Sequence, residues 1–522
     1  MSKHFSSKEE LHNKILTGVN TLADNVASTL GPRGRNVILQ EKGKMPIITK
    51  DGVTVAKFVD LEDPFENAGA QIVKQASAKT NVDAGDGTTT STVLTRAIFR
   101  EAWDHIEQGA SPTELRRGID KAVSATVFAL EEKARPVASA DDISHIATIS
   151  ANNDKSIGDL IALAVDKVGK DGSITIEEAN SLDTALDLVE GFRFDSGYAA
   201  SAFVTDTRRA ITRHEKPMFL ITDSRIEAVD QILPSLEIAA REARPLIIIA
   251  DEIEGQALAA LIMNTVRGSM KVAAIKAPRY GEARRQIMSD LAIATNGKYF
   301  QRASGDDIKQ VSLIDFGTAK TIEITKNMTT IVDGGGLHIE IDERIQEIKE
   351  TLDQTDSMYE CEQLQERITR LSSGIAIIRV GAATQIDMIE KKHRIEDALE
   401  AVRSAQMEGI IPGGGVMLYR ISKKLDVGTD SKEQSLGVDI VKRALCAPLQ
   451  MMAQNSGMEW QEVASKIDDA KNEDTGVNFL TGETTNLLEA GVIDPVKVTR
   501  CALQNAASVA GTLITTNYAI IE

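Results

Sequence analysis

Three short apolar runs near the middle of the chain, FLIT at 219–222, LIIIA at 246–250 and VAAIKA at 272–277, constrain the fold more than any other feature. None shows the polar alternation of a strand with one wet face, and each is followed by a helical stretch. A strand that is apolar on both faces must be covered on both, which is the condition of parallel strands joined by crossover helices. An α/β domain is therefore expected there. The chain reads differently on either side. The first 135 residues are mostly long helices with glycine-rich joints, and helices return after 415 and run to about 515, ending in the small-residue segment RCALQNAASVAGTL. The economical topology is a discontinuous helical domain made from both termini, with a connector and the α/β domain inserted between them.

Length and charge narrow the function. At roughly 150 residues per domain, 522 residues argue for about three domains. With 42% hydrophobic and 26% charged residues the composition is that of a globular protein. The net charge, 59 − 77 = −18, repels phosphate backbones and argues against nucleic acid as a partner. No run approaches the ~18 to 20 apolar residues that span a bilayer, so no membrane partner is expected. MSKHFSSKEELHNKI lacks the apolar core of a signal peptide, so a cytoplasmic location is expected. Cys361, Cys446 and Cys501 are isolated and give neither a zinc spacing nor a disulfide framework.

Local signals place several elements. Ser111-Pro112-Thr113-Glu114 reads as a capping box with proline at the first helical position, and Leu115, Ile119, Val123, Val127 and Leu130 follow at helical spacing until Pro136. Between about 140 and 190 come two short helices, an Asp171-Gly172 turn and two β-like runs, SITIEE and LDLVEGFRF, the second alternating through Leu186, Leu188, Phe192 and Phe194. Residues 338–373 read as polar helix, and 385–408 as a strong helix ended by Gly409.

The sharpest chemical signal is Gly85-Asp86-Gly87-Thr88-Thr89-Thr90 at a helix start. Glycines let a backbone approach an anion, free N–H groups at a helix start favour phosphate, threonine hydroxyls add donors, and Asp86 suits Mg²⁺. An N-cap with a threonine-rich first turn explains the hexapeptide equally well. Gly31-Pro32-Arg33-Gly34 and Gly413-Gly414-Gly415 are further glycine-rich turns, each of which read singly is a plain turn or cap. Asp51, in a Lys-Asp-Gly turn, and Asp397, within a helix, would singly be turn chemistry and a solvated face. Together with a phosphate loop they acquire another meaning, because phosphoryl transfer to water needs a metal clamp and an acceptor that orients the nucleophile.

In order along the chain, TLGPRGRNVIL, ITKDGVTVAK, FENAGAQIVKQ, AGDGTTTSTVL, ATISANND, VKVAAIKAP, VGAATQ, RIEDALEAVRSA, PGGGV and DPVKVTRCALQNAASVAG closely resemble the group I chaperonins of the GroEL type, from about residue 8 to 520. GDGTT occurs also in the archaeal and eukaryotic chaperonins, whereas GPRGRNVI with KDGVTVAK resembles the bacterial and organellar group. The resemblance implies a multidomain α and α/β subunit. A discontinuous helical equatorial domain (1–132 and 408–522), a small intermediate domain (133–189 and 376–407) and an α/β apical domain (190–375) would stack as two seven-membered rings.

The same resemblance implies an ATP hydrolase coupled to protein folding. ATP would be held by Thr29, Leu30, Gly31, Pro32 and Lys50, by Asp86, Gly87, Thr88, Thr89 and Thr90, and by Gly414, Asn478 and Asp494. Mg²⁺ would sit on Asp86, with K⁺ as a further cofactor. Asp397 would position the attacking water, assisted by Asp51. Tyr198, Phe203, Leu233, Leu236, Leu258, Ile262 and Met263 would offer an apolar groove to non-native polypeptides and to a lid-forming co-chaperonin of the GroES type. On spacing alone those seven read as core packing.

Several positions depart from the family. Ala202 replaces an aromatic, Val477-Asn478-Phe479-Leu480 is bulkier than the usual segment beside the base, and Ser196 and Gln385 stand where a charged inter-subunit pair is usual. Val82 has lost the acid that would pair with Lys326, and the Gly-Gly-Met tail of many members is absent after Ile521-Glu522. Arg279-Tyr280-Gly281-Glu282 reads as a basic solvated turn. These departures leave a rival reading, a divergent chaperonin-fold binding or scaffold protein with weakened folding activity and cooperativity. A small-molecule phosphotransferase built on the GDGTTT loop has no acceptor pocket in the sequence to support it.

Overall fold

The computed structural model describes residues 4–41, 43, 46–169, 173–179, 181–207, 209–355, 358–372 and 374–521, so the Asp171-Gly172 turn lies outside the described residues. The chain forms two compact units, one of residues 1–166, 178–184 and 380–522, the other of residues 167–177 and 185–379.

The first unit joins both ends of the chain in one helical body. Leu11, Ile15, Val19, Leu22 and Val26 form the buried stripe of the helix Lys8–Ala27, and Leu94, Ile98, Phe99 and Ala102 that of Thr88–Glu107. Each such side chain contributes roughly 1.5–3 kcal/mol on burial, against a few tenths for helix propensity, so packing decides where these helices lie. The helix Val496–Ile514 packs against both Pro64–Ala84 and Thr88–Glu107, presenting Ala502, Ala506, Ala507 and Ala510 where larger side chains would hold the backbones apart.

The helix Pro112–Lys133 buries Leu115, Ile119, Val123 and Leu130, while Val127 is only partly covered. Its expected capping box does not form. Glu114 is drawn instead to Gln434 at 2.8 Å and Arg117 at 2.5 Å, and the Ser111 N–H donates to Glu433 at 3.1 Å. A capping box does close at Ser139 with Asp142, ahead of the helix Ala140–Ser150.

The second unit carries a mixed sheet. Met218–Thr222, Leu246–Ala250 and Val272–Lys276 run parallel, each followed by a helix: Val229–Glu242, Gly255–Val266 and Gly281–Thr295. All five residues of the first two strands are buried, as the uninterrupted apolar runs require. An antiparallel ladder continues through Gly317–Ile324, Thr329–Gly334, Ala185–Phe194 and Gly374–Val380. Along Ala185–Phe194 the expected alternation breaks. Phe192 and Phe194 are buried but Leu188 is exposed, and Val189 packs on Val332, Ile375 and Ile377 instead. The polar region 338–373 is two helices, His338–Asp353 and Met358–Ser372.

His214, on the edge strand Thr212–Glu215, is a buried base whose Nε2 has no partner among the described residues. Burial, helped by the charge of Lys271, pushes its pKa down to about 4. Below the ordinary value near 6.5 the unfolded chain takes up a proton that the folded chain refuses until about pH 4. Stability therefore falls as pH drops through that window, by up to about 3 kcal/mol from this group. Thermal melting of wild type and His214→Leu at pH 7 and 4.5 checks this: the variant loses less on acidification, and equal losses would refute it.

Candidate functional site

Within the helical unit, loops from both ends of the chain enclose a cavity of about 270 Å³. The first wall follows the helix Lys8–Ala27. Thr29 Oγ1 donates to Val26 O at 2.8 Å, Asn455 Nδ2 donates to Ala27 O and Leu30 O at 2.9 Å each, and Lys50 Nζ donates to Gly31 O at 3.0 Å. Asp51 caps the helix Gly52–Phe58 through the N–H groups of Val53 and Thr54. The turn chemistry expected of an isolated Asp-Gly is thus present, and the same residue also lines the cavity.

The second wall is the glycine-rich hexapeptide. Gly85 (φ 73°) and Gly87 (φ 83°) both lie in the left-handed region, and a Cβ at Gly85 would come within 2.1 Å of Glu400 Cβ. Only glycine permits that turn under the neighbouring helix. The helix Thr88–Glu107 then starts with no side chain capping it. Its first N–H groups and the positive end of its dipole face the cavity with Thr88, Thr89 and Thr90, an arrangement suited to an anion.

The long helix Gln385–Glu408 forms the third wall and turns Glu390, His393, Arg394, Asp397 and Ala401 into the cavity. Their spacing of three or four residues is one helical face. Ser404 Oγ donates to Ala84 O at 2.9 Å, which ties this helix to the side of the glycine-rich hexapeptide. Glu396, adjacent to Asp397, is buried, so this stretch is not the solvated face that isolated reading would give it. On the remaining side Asp494 accepts the N–H groups of Gly414 and Gly415, ahead of the helix Val416–Lys424. Asn478 Oδ1 accepts the Leu480 N–H at 3.0 Å and shapes the loop there.

All fifteen residues expected from the sequence for nucleotide, metal and water positioning line this one cavity. The bulky segment divides its roles: Phe479 is buried in a cluster with Val416 and Tyr419, while Leu480 is half exposed. Sequence reasoning missed Ser150, Asn152, Asn153, His393 and Arg394, which also line the cavity. Ser150 Oγ donates to Asp86 at 2.9 Å, and Asn152 and Asn153 take φ of 59° and 65°, a conformation asparagine tolerates. The signal was ATISANND itself, two adjacent asparagines after a helix.

Burial raises the Asp86 carboxyl above its usual range, and the charge of Asp51 adds to this. Asp494 is pushed up to about 6 by burial and then by Asp86, against the pull of its two glycine N–H donors. Lys50 is lowered by burial. Among the described residues no ion pair reaches Asp86 or Asp494, and no group of three or more His, Cys, Asp or Glu could hold a metal. Part-buried carboxylates without a counter-cation among the described residues fit Mg²⁺, which takes one or two carboxylates and completes its shell with water and phosphate oxygens rather than a protein cage.

The seven apolar positions expected to bind clients belong to the second unit. Leu233 and Met263, on the helices Val229–Glu242 and Gly255–Val266, are each 47% exposed. Tyr198, Leu258 and Ile262 are partly covered. Phe203 and Leu236 sit inside the core at 0% and 7% exposure, so as packed here they offer no surface to a client. Phe203 is drawn in because its short 3₁₀ turn, Ser201–Phe203, packs against the helix Gly255–Val266 and the strand Val272–Lys276.

Residues 22–522 match the model of the TCP-1/cpn60 chaperonin family, and the chain belongs to that family. Its fold is similar to that of the chaperonin gp146 from the bacteriophage EL 2 (Pseudomonas aeruginosa), solved in two crystal forms in the presence of ATP-BeFx. The TM-scores are 0.68 and 0.63 at 21% identity, with 99% of each chain covered in both comparisons. The fold is thus that of a multidomain chaperonin subunit. Among the described residues no helix is long and apolar enough to cross a membrane.

Proposed function

We propose that this protein is an ATP-dependent chaperonin of the cytoplasm, in which hydrolysis drives the binding and release of non-native polypeptides inside a ring cavity. The observation that carries this reading is the convergence of Asp51, Asp86 and Asp397, from distant segments, on one cavity with an uncapped helix start. The phosphate chain of ATP would lie at Gly87–Thr90, with Lys50 nearby and Asp494 holding the Gly414-Gly415 turn. Mg²⁺ on Asp86 would neutralise phosphate charge. Asp397 accepts a hydrogen bond from the attacking water and so orients it, and Asp51 assists from its cap position. K⁺ is retained as a cofactor, with no residue set assigned to it.

We divide the chain as 1–132 and 408–522 equatorial, 133–189 and 376–407 intermediate, and 190–375 apical. Support comes from the breaks between the two compact units, which fall close to both apical limits. Assembly into two seven-membered rings is supported by open sheet edges. The two-stranded sheet of Val37–Leu39 with Ile47–Thr49 leaves Ile38, Ile47 and Ile48 exposed, and that of His4–Ser7 with Tyr518–Ile521 leaves Tyr518 and Ile520 exposed. Unpaired apolar edges invite another chain.

Clients and a GroES-type lid would meet Leu233 and Met263, with Leu258, Ile262 and Tyr198 beside them. Repetition around a ring sums weak apolar contacts by avidity. Leu233→Ser with Met263→Ser should lower capture of a chemically unfolded client about tenfold without changing the basal hydrolysis rate; unchanged capture would remove this surface from the mechanism. With Ser196 and Gln385 uncharged, coupling between subunits loses a term, so the Hill coefficient for ATP hydrolysis should fall below that of standard GroEL-type members. A value equal to theirs would refute this.

The whole reading is tested by refolding of a stringent client with ATP and a GroES-type lid. ATP-dependent recovery of client activity supports the folding machine, whereas capture without recovery favours the scaffold.

A further inference from the structure

We propose that the cleft between the helices Gly52–Phe58 and Pro64–Ala84 is a second ligand site, which takes the phosphate group of a small anionic ligand. The cleft has a volume of about 480 Å³, within the range of small-molecule sites. Its two cations, Lys57 and Lys74, do not line the nucleotide cavity, so the inference goes beyond the ATP reading and stands without it.

Helix periodicity assembles the two walls. On Pro64–Ala84, Gln71, Lys74, Gln75 and Ala78 recur at three and four residues and make one face, and on Gly52–Phe58 so do Val53, Ala56 and Lys57. The two helices pack against each other, and Lys74 fixes their approach. Its Nζ donates to Lys57 O at 3.3 Å and to Val59 O, carbonyls left open where the short helix ends.

Both walls thus bring an ammonium to the cleft, each with donors still open. An ammonium carries three N–H groups. Lys74 uses two on those carbonyls, and the exposed Lys57 ammonium has no hydrogen bond or ion pair among the described residues. Burial makes Lys74 less basic than usual, against the pull of Asp60, so an anion at its third N–H favours the charged form. The remaining donors are the carboxamides of Gln71 and Gln75, and no arginine lines the cleft. Lysine meets a tetrahedral phosphate as a point charge, whereas a flat carboxylate is best matched by the planar fork of arginine. Ser77 also lines the cleft. It is 1% exposed, and its Oγ has no partner among the described residues. Such a hydroxyl costs free energy until a ligand or water oxygen meets it. The space exceeds one phosphate, and Val53, Ala56 and Ala78 offer apolar surface to a carbon skeleton whose hydroxyls Asp60 can accept.

Calorimetric titration of the full-length protein tests this, with the nucleotide cavity filled by Mg²⁺ and the non-hydrolysable analogue AMP-PNP, and with ribose 5-phosphate, inorganic phosphate and ribose as probes. The wild type should bind the two phosphates and not ribose. Lys57→Ala should weaken their binding at least about tenfold, the cost of one hydrogen bond to a charged group, and leave AMP-PNP affinity unchanged. Gln75→Leu, which removes a neutral donor, should weaken it about threefold. Tighter binding of ribose 5-phosphate assigns an organic monoester as the occupant and equal affinities assign the free ion; either supports the site. No phosphate binding, ribose binding as tight as that of its phosphate, or affinities that both substitutions leave unchanged would overturn the inference. If Lys57→Ala melts well below wild type, Gln75→Leu decides alone. Should the wild type fail to take up AMP-PNP, the nucleotide reading falls, while a phosphate signal that depends on Lys57 still upholds the cleft.

Discussion

Replacing Asp397 with alanine should leave nucleotide binding nearly intact and slow hydrolysis by at least about a hundredfold. A positioned proton acceptor is worth 10²–10⁴ in rate, and Asp397 faces the cavity from the long helix, which other residues hold in place. The anchors are Ser404 to Ala84 O, Arg394 to Asp154, and the close passage of Glu400 over Gly85. These three contacts remain when the Asp397 side chain is truncated, so the helix should keep its place and the larger loss should fall on turnover. Asp397→Asn preserves shape but offers the water a donor on one side, and should be nearly as slow. Single-turnover hydrolysis alongside equilibrium binding checks this; undiminished hydrolysis in either variant would remove Asp397 from its role.

Substituting Asp86 by asparagine should move function and stability in opposite directions. The amide keeps its oxygen for the Gly87 N–H, and its NH₂ can donate to Ser150 Oγ, which then accepts where it donated to the carboxylate. It removes a charge that burial disfavours and that pushes Asp494 up. The unliganded protein should therefore melt higher, by a stabilisation on the order of 1 kcal/mol. Mg²⁺-dependent nucleotide affinity should drop by at least about a hundredfold, since changes even to groups behind a metal ligand cost 10–100-fold. Scanning calorimetry and titrations with and without Mg²⁺ measure both. A variant that melts lower and still binds nucleotide in a Mg²⁺-dependent way would contradict the assignment.

The legible parts of this chain were those with one physical solution. Apolar runs such as LIIIA could only be buried strands, and the helix ending at Gly409 was visible to the residue. The fifteen cavity positions came from the resemblance to the chaperonin motifs; the residues by themselves singled out only the glycine-rich turns and the acids Asp51, Asp86 and Asp397, each of which read singly was turn, cap or solvated face. What stayed hidden depended on distant partners. Glu114 looked like half of a capping box until Gln434, from the other end of the chain, took it. The seven apolar positions on the second unit, five of them at the spacings LxxL and LxxxIM on two helices, met three fates: exposed at Leu233, half covered at Leu258, buried at Phe203. Spacing gives the face of a helix, but not how deeply a neighbouring turn sinks into it. Ser150 and His393 escaped because neither belongs to a glycine loop or an acid pair, and only the convergence of three walls brings them to the one cavity.

The nesting of one unit within the other also sets a timetable for biosynthesis. The helix Val496–Ile514 covers Thr88–Glu107, yet about 390 residues separate them, roughly 20 to 80 seconds of translation at common ribosome speeds. Throughout that interval Leu94, Ile98 and Phe99 wait on the nascent chain without their final cover, while the inserted sheet has all its strands and can fold ahead of them. A chaperonin subunit of this topology thus passes through its own synthesis with an apolar flank uncovered.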